Sequence, residues 1–123
     1  MYSGRMAFTK DLEAVVLGVL QEGGKHGYEI ARRIRFIDDG ALNAREGRLY
    51  PLLHKLESEG LILGQWMPQA GKPPRKVYGL TPMGWEALNH YRTSWRQYVS
   101  TIESALGRPA AVGVSEEEVR VHG

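Results

Sequence analysis

A mostly α-helical fold with one small β-hairpin is what this sequence predicts, and three observations carry the prediction. Apolar residues recur at helical spacing in several separate stretches, most regularly at Leu49, Leu52, Leu53 and Leu56. After Gly60 the period changes, and "LILGQWMP" and "RKVYGLT" read as two short strands rich in branched and aromatic residues. Thr81-Pro82 then restarts a helix, with threonine as the cap and proline at the first helical position. A chain of 123 residues, 42% hydrophobic and 24% charged, supports one such fold with a modest core.

The first helix is expected in "KDLEAVVLGVLQEGG", capped by Thr9, with Asp11 and Glu13 early and Gly23-Gly24 as its stop. Leu12, Val15, Val16, Val19 and Leu20 form its inward stripe. The second helix, "HGYEIARRIRFI", places Tyr28, Ala31 and Ile34 on one side and Arg32, Arg33 and Arg35 toward solvent. "DDGALN" has the composition of a turn, and Asn43 with Glu46 makes a capping box for the third helix. That helix, "GRLYPLLHKLESEGLI", contains a proline that lacks an N–H and crowds the carbonyl of Gly47. Pro51 lies opposite the leucines, so the bend it causes does not interrupt the core. "QAGKPP" separates the two strands as a basic, proline-stiffened tip, and a long helix runs from Thr81-Pro82 to about Leu106.

Three helices, a two-stranded wing and a long final helix make a winged helix-turn-helix with an appended helix. Residues 1–81 are expected to form the winged helix and 82–106 the final helix, with 107–123 as a flexible tail that has little to bury.

Bulk properties exclude several classes of function. No apolar run is long enough to span a bilayer, and "MYSGRMAFTK" lacks a signal-peptide core, so the expected location is the cytoplasm. Zero cysteines rule out disulfides, thiolate nucleophiles and cysteine-based zinc sites. His26, His54, His90 and His122 show no metal-ligand spacing, and His26 reads as a turn residue or a partner for nearby backbone groups. "GVLQEGGKH" fails as a phosphate loop because Lys25 falls one place late, no Ser or Thr follows it, and a helix precedes it. Neither an enzymatic role nor a metal or other cofactor is expected.

The net charge of +2 says little about partners, whereas its distribution says more. Winding at about 100° per residue puts Gly47, Pro51, His54 and Ser58 on the outer face of the third helix. Arg48 and Lys55 flank that face on one side and Tyr50 on the other. Small residues with cations and a hydroxyl at the margins suit a DNA groove, and Lys72, Arg75 and Lys76 on the wing suit the adjoining backbone. On the last helix Leu88, Tyr91, Trp95, Tyr98, Ile102 and Ala105 keep the 3-4-3-4-3 spacing of a helix packed along another. Such a stripe folds back onto its own core or, as preferred here, pairs with its copy about a two-fold axis. Its aromatic residues would then line a cavity for a flat apolar ligand.

"LGVLQEGGKHGYEIARRI", "GRLYPLLHKLESEGLI" and "GKPPRKVYGLTPMGWEAL" resemble, in order and spacing, the segments that mark the PadR family of winged-helix transcriptional regulators. The resemblance covers about residues 10 to 106 and is to the compact branch with a short C-terminal part. It implies a homodimeric, sequence-specific regulator of double-stranded DNA with an inverted-repeat operator, usually a repressor that releases DNA when a small molecule binds. Carried over by position, Arg45, Arg48, Tyr50, Pro51 and Lys55 would lie at the major groove, with Lys72, Arg75 and Lys76 on the wing. Arg48 stands where relatives often have a small or polar residue. The resemblance also implies dimerisation through the last helix, supported by the first. In multidrug-sensing members, paired tryptophans sandwich planar aromatic compounds, and Trp95 falls at the corresponding place, flanked by Tyr91 and Tyr98. Two other expectations stand beside this one: a constitutive DNA-binding protein with no effector, and a winged helix used only for protein contacts.

Overall fold

A computed structural model describes residues 4–39 and 45–107, apart from the side chains of residues 4–10 and 38. The elements run α1 (Gly4–Leu20), β1 (Lys25–His26), α2 (Gly27–Asp38), α3 (Glu46–Ser58), β2 (Ile62–Gln69), β3 (Lys72–Leu80) and α4 (Pro82–Leu106). Two compact units divide within α4, one through Tyr91 and the other from Arg92. The expected tail from residue 108 onward lies outside the described residues.

The core of the first unit follows from the helical stripes. Leu12, Val16, Leu17, Val19 and Leu20 of α1 meet Ile30, Ala31 and Ile34 of α2 and the four leucines of α3. Each fully buried leucine contributes roughly 1.5–3 kcal/mol through the apolar surface it removes from water. Tyr28, expected on the inner side of α2, is instead 53% exposed, and Ile30 holds the inner position.

Two expectations about termini are corrected. Helix α1 begins at Gly4, so Thr9 lies within it and not at its N-cap; Met6, Ala7 and Phe8 contain no breaker to stop the helix earlier. Helix α3 has Arg45 as its N-cap with no side-chain hydrogen bond, and Glu46 is its first residue, not its third. Glu46 thus does not hold the third helical place that the expected capping box requires; Asn43 itself, with most of the "DDGALN" turn, lies outside the described residues. The true capping box is on α2, where His26 Nδ1 accepts from the Glu29 N–H at 3.4 Å and Glu29 accepts from the His26 N–H at 3.3 Å. His26 thus partners nearby backbone, as its position in the sequence implied.

The sheet has three antiparallel strands in the order β1-β3-β2, one more than expected. Lys25 pairs with Tyr78 and His26 with Val77, which fastens the α1–α2 turn to the wing. The hairpin is also longer and tighter than "QAGKPP" implied. Its strands extend to Gln69 and Lys72, leaving Ala70-Gly71 as the turn, with Gly71 at φ +70° and an irregularity at Met67/Gln69.

Helix α4 starts as read. The Thr81 hydroxyl accepts from the Gly84 N–H at 3.0 Å and donates to the Gly60 carbonyl at 2.6 Å. Gly84 is required by proximity, because a β-carbon there would sit 2.0 Å from the Leu61 carbonyl oxygen. Among the described residues no helix is long and apolar enough to cross a membrane.

Candidate nucleic-acid interface

The leucine stripe of α3 fixes which residues face outward, because burying Leu49, Leu52, Leu53 and Leu56 turns Gly47, Pro51, His54 and Ser58 to solvent. Pro51 lies inside α3 and is exposed, away from the core. Having no N–H, it leaves the Gly47 carbonyl without its usual helical donor, on the face that bears the polar groups. Tyr50 leans across the start of α2, and a β-carbon at Gly27 would come within 2.7 Å of its ring.

The predicted cations fall into two groups. Arg45 and Arg48 on α3, and Lys72 and Arg75 on the hairpin, hold no ion pair among the described residues. Lys55 and Lys76 are bound to carboxylates. Lys55 Nζ lies 2.5 Å from Glu13 of α1, and Lys76 Nζ lies 2.8 Å from Glu57 of α3. The hydrogen bond from Lys76 holds the Glu57 carboxyl below its ordinary pKa, and the same bond raises that of Lys76. Hydrogen bonding to Glu13 likewise raises that of Lys55.

Glu57 also accepts the Gly64 N–H of β2 at 3.1 Å, so one carboxylate ties α3 to both strands of the hairpin. Helix α3 and the hairpin are thereby held together. Of the cations noted on α2, Arg33 forms a two-point pair with Glu22, at 3.1 and 2.8 Å. Arg32 lies over the Tyr28 ring at 5.8 Å, and Arg35 is exposed.

The stripe on α4 divides. Leu88 is buried in the chain's own core, and the half-buried Tyr91 donates its hydroxyl proton to Glu13 at 2.9 Å. Burial, with the Glu13 carboxylate second, pushes the Tyr91 phenol up to about 12. Further along, Trp95 and Tyr98 are 59% and 58% exposed with ring centroids 5.6 Å apart, and Ile102 and Ala105 are also exposed.

Glu13 and Glu57 are the site residues that sequence reasoning missed. The only sequence signal was a carboxylate beside an inward leucine, at Glu13 after Leu12 and Glu57 after Leu56. Among the described residues no group of three His, Cys, Asp or Glu side chains is placed to hold a metal ion.

Comparison with known proteins identifies the family. The profile of the family described as "Transcriptional regulator PadR-like family" matches residues 16–90. The chain is 31% identical over 80 residues to the negative transcriptional regulator PadR of Bacillus subtilis, covering 65% of this chain and 44% of that protein. It is 29% identical over 93 residues to a transcriptional regulator of Mycobacterium tuberculosis, covering 76% of this chain and 73% of the relative. The crystal structure of a PadR-like transcriptional regulator from Bacillus cereus superposes with a TM-score of 0.70 at 28% identity, covering 80% of this chain and 93% of that one.

Proposed function

This chain belongs to the PadR-like family of transcriptional regulators, and from that premise we propose a homodimeric repressor that reads an inverted-repeat operator with α3 and its hairpin. The observation that carries the proposal is the set of four cations, Arg45, Arg48, Lys72 and Arg75, which hold no ion pair among the described residues and lie at a helix and a hairpin joined by Glu57. Arg48 is suited to a guanine edge in the major groove, with Arg45 and Tyr50 beside it and the small face around Pro51 allowing close approach. Lys72 and Arg75 engage the flanking phosphates. Lys55 and Lys76 stand at the edge of this surface with their charges already held by carboxylates, and are not counted among its phosphate contacts.

The exposed stripe from Trp95 through Tyr98 and Ile102 to Ala105 supports dimerisation along α4, since an isolated chain leaves these side chains in water. Trp95 and Tyr98 would bind a planar aromatic effector between the paired helices. Two recognition helices must lie roughly 34 Å apart to enter successive major grooves. An effector that favours another spacing by a few kcal/mol lowers operator affinity by one to two orders of magnitude or more. The site of action is the cytoplasm, where the operator is.

The test is a gel-shift titration against a duplex selected by the protein from a randomised pool, across a range of salt. Arg48→Ala should abolish the specific shift while the dimer persists, and unchanged binding would overturn the groove assignment. Binding that does not weaken with salt would favour a protein-contact module instead. For the seam, Trp95→Ala should lose fluorescence quenching by planar cationic dyes. A variant that binds those dyes as tightly as before removes the effector site and leaves a constitutive DNA-binding protein.

A further inference from the structure

Glu13 is the one buried charged side chain among the described residues, at 9% exposure, and it lies beneath the surface assigned to DNA. A carboxylate in that position must be compensated, and both of its oxygens are. One takes the Lys55 ammonium from α3, and the other takes the Tyr91 hydroxyl from α4. The Lys55 side chain remains 54% exposed, yet its charged end is drawn back toward α1. By sequence position Lys55 belongs with Arg48 on the margin of the recognition face; by geometry its charge is already matched.

We propose that Glu13 is a positioning residue for DNA binding: it withholds Lys55 from the phosphate backbone and so sets how many cations α3 presents. This rests on the reading of α3 as the recognition helix. A phosphate approaching α3 competes with Glu13 for the ammonium. Surrendering Lys55 leaves a buried carboxylate with the tyrosine hydroxyl alone, an arrangement that costs more than a single surface phosphate contact returns. Lys55 therefore stays latched, and α3 meets DNA through Arg45 and Arg48. The raised pKa of Lys55 agrees with an ammonium already held by its carboxylate. Because Tyr91 shares that carboxylate, the latch also reaches the base of the last helix.

Counterion release makes this measurable, since each phosphate neutralised steepens the dependence of log affinity on log salt by about 0.9. The full chain is titrated with a duplex selected by the wild-type protein, as wild type, Glu13→Gln, Lys55→Gln, the double variant and Arg48→Ala. Glutamine at position 13 accepts hydrogen bonds without holding an ammonium. Glutamine at position 55 still offers Glu13 an N–H. Glu13→Gln should bind more tightly at low salt, with a slope steeper by about 0.9 per Lys55 engaged. Lys55→Gln alone should leave the wild-type slope unchanged, and in the double variant it should cancel the gain. A flatter slope for Lys55→Gln alone would show that Lys55 already binds phosphate and overturn the proposal. So would a Glu13→Gln slope equal to that of wild type, because loss of a merely structural contact changes stability and not the slope. Should Glu13→Gln fail to fold, the Lys55→Gln arm decides alone. If Arg48→Ala binds normally, the recognition-helix reading itself has failed, which separates the two failures.

Discussion

Two opposed effects meet at Gly84. Alanine is the better helix former by about 1 kcal/mol, so propensity alone makes Gly84→Ala stabilising. Yet the added β-carbon would lie 2.0 Å from the Leu61 carbonyl oxygen, far inside ordinary contact, which begins near 3.4 Å. That oxygen cannot retreat freely, because it accepts the Thr81 N–H at 3.2 Å. Moving α4 outward instead strains the Thr81 cap, whose hydroxyl bridges the Gly84 N–H and the Gly60 carbonyl. Overpacking of this kind costs about 1–3 kcal/mol, and each hydrogen bond lost about 1 kcal/mol more. After the propensity gain is subtracted, Gly84→Ala should be destabilising by about 2–4 kcal/mol. At this chain length that lowers Tm by roughly 8–16 °C. Urea and thermal unfolding measure it, at matched protein concentration because the stability of the proposed dimer depends on it. Gly47→Ala is the internal control: nothing lies within 4 Å of its β-carbon, so up to about 1 kcal/mol should be gained there. A Gly84→Ala protein as stable as wild type would refute the packing argument, because propensity would then have prevailed over a backbone clash.

Thr81→Val keeps the shape of the side chain but removes both hydroxyl bonds, and urea unfolding should show a loss of about 1–2 kcal/mol. At the acid end, Glu57 has a folded pKa below 4.5, so its contribution is present above that value and disappears as pH falls through the depressed one. A Glu57→Gln protein should start less stable near neutrality and decline less steeply below about pH 4.5, as followed by circular dichroism. At the alkaline end the sign reverses. The unfolded phenol of Tyr91 ionises near 10 and the folded one at about 12, so stability falls between those values by up to about 2–3 kcal/mol. Tyr91→Phe should lack that portion of the alkaline decline in urea titrations.

The parts of the fold that could be read in advance are those whose signals are local. Leu49, Leu52, Leu53 and Leu56 are buried as their spacing requires, and Thr81-Pro82 opens α4 through side-chain chemistry contained within four residues. Gly60 closes α3 for a similar reason: at φ +78° it lets the Leu61 N–H turn back to the Leu56 carbonyl at 3.0 Å. What escaped detection depends on distant partners. Two residues make β1 a strand only because β3 passes beside them. Lys55 and Lys76 read as free surface cations because Glu13 and Glu57 lie 42 and 19 positions away. On α2, Ala31 and Ile34 are buried as read and only Tyr28 departs, because an aromatic residue fits an exposed, cation-stacked position beside Arg32 as well as a core one. The candidate interface was thus legible as a list of outward cations, but not in which of them have their charge already matched.

The two-residue strand β1 also orders events in time. Its partners Val77 and Tyr78 lie about fifty residues downstream, so on a ribosome adding about 5–20 residues per second they appear some 3–10 s after His26. Contacts that distant along the chain close late, after local ones have formed. During that interval the α2 start has no sheet to hold it, whereas the exchange between His26 and Glu29 needs only three residues of separation. One histidine therefore serves twice: as a local cap that keeps the nascent α2 in register, and later as the edge on which the wing docks.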